Sequence, residues 1–160
     1  GFKFRNDIPA ILSLGIEYAI APELRIMVSY HMFFDKSAVW ESLDPTIKQD
    51  DLIDSNSYDI SVGFEYDITD TILISAGYLL TQVGVSDEYQ DAFSHELNSS
   101  TFGFGGRIMV IPQISLDFGG IYSVYTDASK TLQIPEYPLP FTETYQRSTW
   151  ALAVGIGFHL

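Results

Sequence analysis

Seven stretches of this chain alternate apolar residues with polar or small ones, and none of comparable length keeps a helical period. Side chains that alternate in character with period two belong on opposite faces of a sheet. The spacing predicts strands over 9–20, 24–35, 58–67, 72–80, 101–110, 114–125 and 150–160. The first places Leu12, Leu14, Ile16, Tyr18 and Ile20 on one face, with Ser13, Gly15, Glu17 and Ala19 on the other. The last places Trp150, Leu152, Val154, Ile156, Phe158 and Leu160 against Ala151, Ala153, Gly155, Gly157 and His159. Every charge inside the seven stretches falls on the second face: Glu17, Arg25, Asp35, Asp59, Glu65, Asp67, Arg107 and Asp117.

A soluble antiparallel sandwich also dries one face and wets the other. Aromatic placement separates that reading from a membrane barrel. On the apolar face Tyr30, Phe34, Tyr58, Tyr78, Phe102, Tyr122 and Trp150 gather toward the long connections, and Tyr18, Tyr66 and Phe158 toward the short ones. Two aromatic belts match the two interfaces of a bilayer. A Lys or Arg on the lipid side would cost about 2–4 kcal/mol at the midplane, which accounts for where the charges fall. The expected fold is therefore all-β, an antiparallel transmembrane β-barrel in the bacterial outer membrane, with residues 1–160 forming one barrel segment.

The connections orient it. Ala21-Pro22-Glu23, Ile68-Thr69-Asp70 and Ile111-Pro112-Gln113 are tight, whereas the segments around 41–56, 85–97 and 127–147 are long. Short turns belong in the periplasm and long loops outside the cell. The C-terminus is then periplasmic, and Gly1–Asp7 lie outside. Seven is odd, whereas bacterial single-chain barrels have even strand counts, and an open edge is not tolerated in lipid. With a chain that begins at Gly rather than Met, the expectation is the C-terminal part of a longer barrel.

Composition narrows the function. With 8 basic and 21 acidic residues, the formal charge is −13; such a surface excludes nucleic acid, which demands basic patches. Acid concentrates in the loops, at Glu41, Asp44, Asp50, Asp51 and Asp54 and again at Asp87, Glu88, Asp91 and Glu96. These are read as solvated loop tips beside outer-membrane lipid and lipopolysaccharide, with cations shared with the latter as the sharper alternative. There is no cysteine, hence no thiol chemistry. His95 and His159 lack metal-ligand partners at useful spacing, and no cofactor is expected. The segment 134–141 is Pro-rich and apolar, a stiff loop that either folds over the barrel mouth or is simply rigid.

The lumen face holds the candidate chemistry. Much of it is small (Gly15, Gly63, Gly77, Gly103, Gly105, Gly119, Ala151, Ala153), and part is apolar (Met27, Phe33, Leu73, Leu79, Met109, Ile121). A water-filled pore wants polar walls; this wall suits an apolar solute or an internal plug, although small barrels also fill with apolar side chains. Met27, Phe33, Met109, Ile121 and Phe141 are the candidate ligand or plug contacts, with plain barrel packing as the alternative for each. Hairpin spacing predicts two lumen ion pairs, Arg107 with Asp117 about a turn centred near 112, and Glu17 with Arg25 about one centred near 21; these support register. Ser29, His31 and Asp35 share the inward face, but inward residues of these types are common, and no catalytic role is assigned to them.

The run Asp7-Ile-Pro-Ala-Ile-Leu-Ser-Leu-Gly-Ile-Glu-Tyr18, followed by Ala21-Pro-Glu-Leu-Arg25 and by Tyr30 through Phe34-Asp35-Lys36-Ser37, resembles the C-terminal half of the long-chain fatty-acid transporter family (FadL/TodX type) of outer-membrane proteins. The resemblance is specific over the first 40 or so residues and extends further only as rhythm. The chain closes on Leu160, where the family often has Phe. It implies a 14-stranded barrel of which these seven strands are half, with the hatch and the other strands in the missing N-terminal half. It also implies passive uptake of hydrophobic molecules such as long-chain fatty acids, without enzymatic activity. No ligand-binding residue carries over. The alternative is a secretion-associated relative of the same fold that binds or assembles partner proteins.

Overall fold

The computed structural model describes residues 5, 7–41, 46, 48–91, 95–133 and 139–159. Asp44, Leu160, most of the Pro-rich 134–141 segment and most of Gly1–Asp7 therefore lie outside the described residues. The rest is an all-β chain built on one seven-stranded antiparallel sheet: β1 (Ile11–Ala21), β2 (Leu24–Phe33), β3 (Ser57–Thr69), β4 (Ile72–Gln82), β5 (Ser99–Ile111), β6 (Ile114–Tyr125) and, after the hairpin β7 (Ala128–Leu132) and β8 (Phe141–Tyr145), β9 (Ser148–Phe158). The order is β1-β2-β3-β4-β5-β6-β9, each strand beside its sequence neighbour, with the β7–β8 hairpin forming its own small sheet inside a loop. That hairpin has no counterpart in the periodicity, because two five-residue strands are too short to establish it.

Three hairpins share one construction. Two-residue tips, Pro22-Glu23, Asp70-Thr71 and Pro112-Gln113, join β1 to β2, β3 to β4 and β5 to β6. In each, the register slips by one residue just before the tip, between Ala19 and Ala21, Asp67 and Thr69, and Met109 and Ile111. The extra residues are Ile20, Ile68 and Val110. A bulge of this kind sharpens the local twist and bends its strand. The following strand then closes onto the turn: Asp67 N–H donates to Glu23 O, Met109 N–H to Thr71 O and His159 N–H to Gln113 O, at 2.8, 2.8 and 2.9 Å. Pro22 and Pro112 preset φ at the first tip position. The middle hairpin lacks proline, and there Thr69 Oγ1 accepts from the N–H groups of Thr71 and Ile72 at 3.2 and 3.1 Å. Its tip lies one residue later than the Ile68-Thr69-Asp70 reading places it, because the bulged Ile68 belongs to β3.

Register keeps the two faces apart across the whole sheet. On the outer face Tyr78, Phe102, Tyr122 and Trp150 stand directly opposite one another on four successive strands, and the Tyr78 and Phe102 ring centroids are 5.2 Å apart. Gly120 sits beside this row: a Cβ there would fall 2.6 Å from the tip of the Phe104 ring and 2.7 Å from Leu152, side-chain ends that would have to turn aside. No charged residue of the seven strands is on this face. Leu97, at 6% exposure, is the single buried apolar side chain among the described residues, whereas Leu14, Ile16, Phe104, Leu152 and Val154 are largely exposed. Among the described residues of the seven strands, most large apolar side chains are on this outer face rather than in a core.

The sheet is open. β1 and β9 have one strand neighbour each, and both run from the loop end to the turn end. Closing it with alternation intact takes an odd number of added strands. Among the described residues no helix is long and apolar enough to cross a membrane, a statement that does not bear on strands.

Candidate functional site

The inner face of the sheet curls around an open groove of about 580 Å³ whose lining comes from β2, β3, β4, β5, β6 and β9. Its floor is the register row Met27, Gly63, Gly77, Gly103, Ile121 and Ala151 and the row below it, Glu65, Ser75, Gly105, Gly119 and Ala153. Five glycines and two alanines in these two rows leave the backbone close to the groove. Met27 and Ile121 are the long apolar side chains that reach into it, and Glu65 supplies its carboxylate.

Polar rows bound the groove on both sides. Toward the loops, Ser29 and Ser61 hydroxyls are 2.7 Å apart, as are those of Thr101 and Ser123. One row further, His31 Nδ1 is 2.9 Å from Ser13 Oγ, and the Thr81 hydroxyl donates to Asp59 Oδ1 at 2.7 Å. Toward the turns, Arg107 Nε donates to Asp117 Oδ1 at 2.6 Å. The Ser115 hydroxyl donates to Asp117 Oδ2 at 3.3 Å, and His159 Nε2 lies 3.2 Å from Ser115 Oγ. Ser115 is fully buried beneath this cluster.

The second expected ion pair is not formed. Glu17 stands opposite Met27, and Arg25 opposite Ala19. The first hairpin is centred at Pro22, as the third is at Pro112, which moves each partner by two positions. Arg25 turns to the other side, its Nη2 2.9 Å from Glu65 Oε2. Among the described residues Glu17 has no ion-pair partner. Arg25–Glu65 bridges two strands joined by a long loop, so no turn spacing announces it.

The five apolar candidates are not brought together. Met27 and Ile121 share the groove. Phe33 is at the loop end of β2, opposite Ile11 and Ser57. Met109 is at the turn end of β5, opposite Ser115. Phe141 opens β8, opposite Leu132 and well outside the groove. Ser29, His31 and Asp35 are likewise apart in their bonding: His31 meets Ser13, Ser29 meets Ser61, and Asp35 Oδ2 accepts the Ser57 N–H at 2.9 Å.

A second site went unread in the sequence because loops form it. The loop after β2 contains a short helix, α1 (Gln49–Leu52), and packs on the loop after β4 through an Ile53–Val85 bridge. Asp54 and Ser55 N–H groups donate to Gly84 O, and the Ser86 hydroxyl to Asp51 O. The β7–β8 hairpin joins them: Lys130 Nζ donates to Glu88 O and Gln90 O, and the Tyr145 ring stacks on His95 at 5.7 Å. Glu143 accepts the Tyr145 hydroxyl and pushes its pKa up to about 12. Between these loops and the approach to β1 is a pocket of about 190 Å³, walled by Pro9, Ala38, Trp40, Leu52, Ile53, Val85 and Tyr89, with Asp7, Asp35 and Glu96 at its rim. Arg5 clamps Asp7 through two hydrogen bonds and holds its carboxyl below the usual carboxylate range. Beside it an acidic cleft carries Asp50, Asp51, Asp54, Asp87 and Glu88. Among the described residues no group of three or more acidic or histidine side chains is arranged to hold a metal ion.

No family model matches the chain, and no curated protein matches it either.

Proposed function

We propose that the chain forms half the wall of a bacterial outer-membrane channel through which hydrophobic small molecules pass passively, the remaining strands completing the ladder at β1 and β9. The observation that carries this reading is the inversion of the usual burial pattern. An uncharged face of Leu, Ile, Val and aromatic side chains is exposed across seven strands, while the charges and hydroxyls line the concave side. A soluble protein rarely exposes a contiguous apolar surface of this extent; lipid is the solvent such a face fits. Strands of 10–13 residues are long enough to cross a bilayer.

The inner wall supports passage of apolar solutes rather than ions. The groove floor is glycine, alanine, serine, methionine and isoleucine with one carboxylate, Glu65, which is paired with Arg25 outside the lining. Long-chain fatty acids as the cargo rest on the family resemblance alone. In this reading the long loops face outward and the three tight hairpins the periplasm.

The test is reconstitution of the full-length protein in lipid vesicles with a neutral, environment-sensitive apolar dye outside. Faster dye uptake than in protein-free vesicles supports a channel. Uptake equal to that of protein-free vesicles, with stoichiometric co-purification of another protein, would instead favour an assembly role.

A further inference from the structure

We propose that the loop pocket beside Trp40 binds a small molecule with an apolar, preferably aromatic, body and a single positive charge, an arylalkylamine being the simplest example. Its placement at the outer mouth rests on the channel reading above; its chemistry does not.

The volume, about 190 Å³, equals some six water volumes at roughly 30 Å³ each, enough for one ring and a short chain. Trp40, Tyr89, Leu52 and Val85 give it apolar walls that include two aromatic side chains. An ammonium group is attracted to such rings. Of the three carboxylates lining the pocket, Asp7 is neutralised by Arg5, and no Lys or Arg is among the described residues of the lining to pair with the other two. Asp35 and Glu96 are in no ion pair among the described residues. Asp35 uses one oxygen for the Ser57 N–H, and among the described residues the Glu96 carboxylate accepts one long bond, from the Tyr89 hydroxyl at 3.5 Å. A cation at this rim gains from both carboxylates, and an anionic amphiphile is repelled by both. The pocket shares no residue with the inner groove, so its selectivity is separate from what the groove admits.

Three near-isosteric probes test this on the full-length protein in neutral detergent: phenethylamine, 2-phenylethanol and phenylacetate, titrated by calorimetry at low salt. The expected order places phenethylamine about tenfold tighter than phenylethanol, with phenylacetate weaker than either. Asp35→Asn combined with Glu96→Gln should remove the advantage of the amine while leaving phenylethanol unchanged. Ala38→Phe, which fills the pocket from one wall, should abolish binding of all three. Phenylacetate binding as tightly as the amine, no binding of any probe, or amine binding unaffected by Ala38→Phe would each overturn the proposal. Dye uptake into vesicles is measured on the same preparation. Uptake without amine binding removes the pocket and leaves the channel; amine binding without uptake does the reverse.

Discussion

On the concave face of β2, Arg25 has an acidic residue to either side. Glu65 is directly opposite on β3, and Glu17 is a diagonal neighbour on β1, offset by two positions. Diagonal neighbours stand roughly 7–8 Å apart against about 4.5–5.5 Å for direct ones, so the guanidinium pairs with Glu65. A double-mutant cycle should return about 0.2–1 kcal/mol for Arg25→Ala with Glu65→Ala, since both groups are partly solvated. The cycle with Glu17→Ala should return nothing measurable. Arg107–Asp117 was legible in the sequence because a two-residue turn ties the two strands; Arg25–Glu65 was not, because 23 residues of loop separate β2 from β3. Asp7 makes a separate prediction. Its folded carboxyl titrates below its ordinary value, chiefly through the Arg5 hydrogen bonds. The stability it contributes is therefore complete above the ordinary carboxylate pKa of about 3.9 and is lost as pH falls through the lower folded value. Asp7 Oδ2 also accepts the Val39 N–H at 3.3 Å. The Val39 amide resonance should hence titrate with a midpoint below the model-peptide value, and Arg5→Ala should return it there.

At the level of elements, the loops are less dispensable than their acidity suggests. Gly84 is pressed against the loop after β2 so closely that an added Cβ would lie 1.9 Å from Ser55 O. The contact is with backbone, so no rotamer change relieves it. Gly84→Ala should cost about 1–3 kcal/mol, the usual range for overpacking. Limited proteolysis should then find the loops after β2 and β4 more readily cut, with the sheet intact. The middle hairpin gives a smaller effect: Thr69→Val removes the acceptor for two turn N–H groups and should cost about 0.5–1.5 kcal/mol, measured against the proline-braced hairpins as internal controls. Strand identity and faces were readable because period two writes them into every pair of residues. The loop roof was not: its contacts are hydrogen bonds to backbone carbonyls between segments far apart in the chain, which use Gly84, Ser86 and Lys130 without any repeating pattern.

For the molecule as a whole, the decisive quantity is the solvent of the outer face. Val28, in the middle of β2 and 42% exposed, points outward with no charged neighbour on its face. Val28→Arg should be nearly neutral if water covers that face. If lipid does, it should lower folding stability in bilayers by about 2–4 kcal/mol. A urea titration of the protein in vesicles decides between them. The alternation of apolar and charged residues made this face visible in the sequence, yet the same alternation is blind to what lies beyond β1 and β9. That boundary carries a consequence for symmetry. The two outermost strands point the same way, so a twin of this strip in the same orientation would set two like-directed strands against each other at both seams. In the channel reading, the arc that completes the ring is therefore not this strip repeated by rotation about the pore.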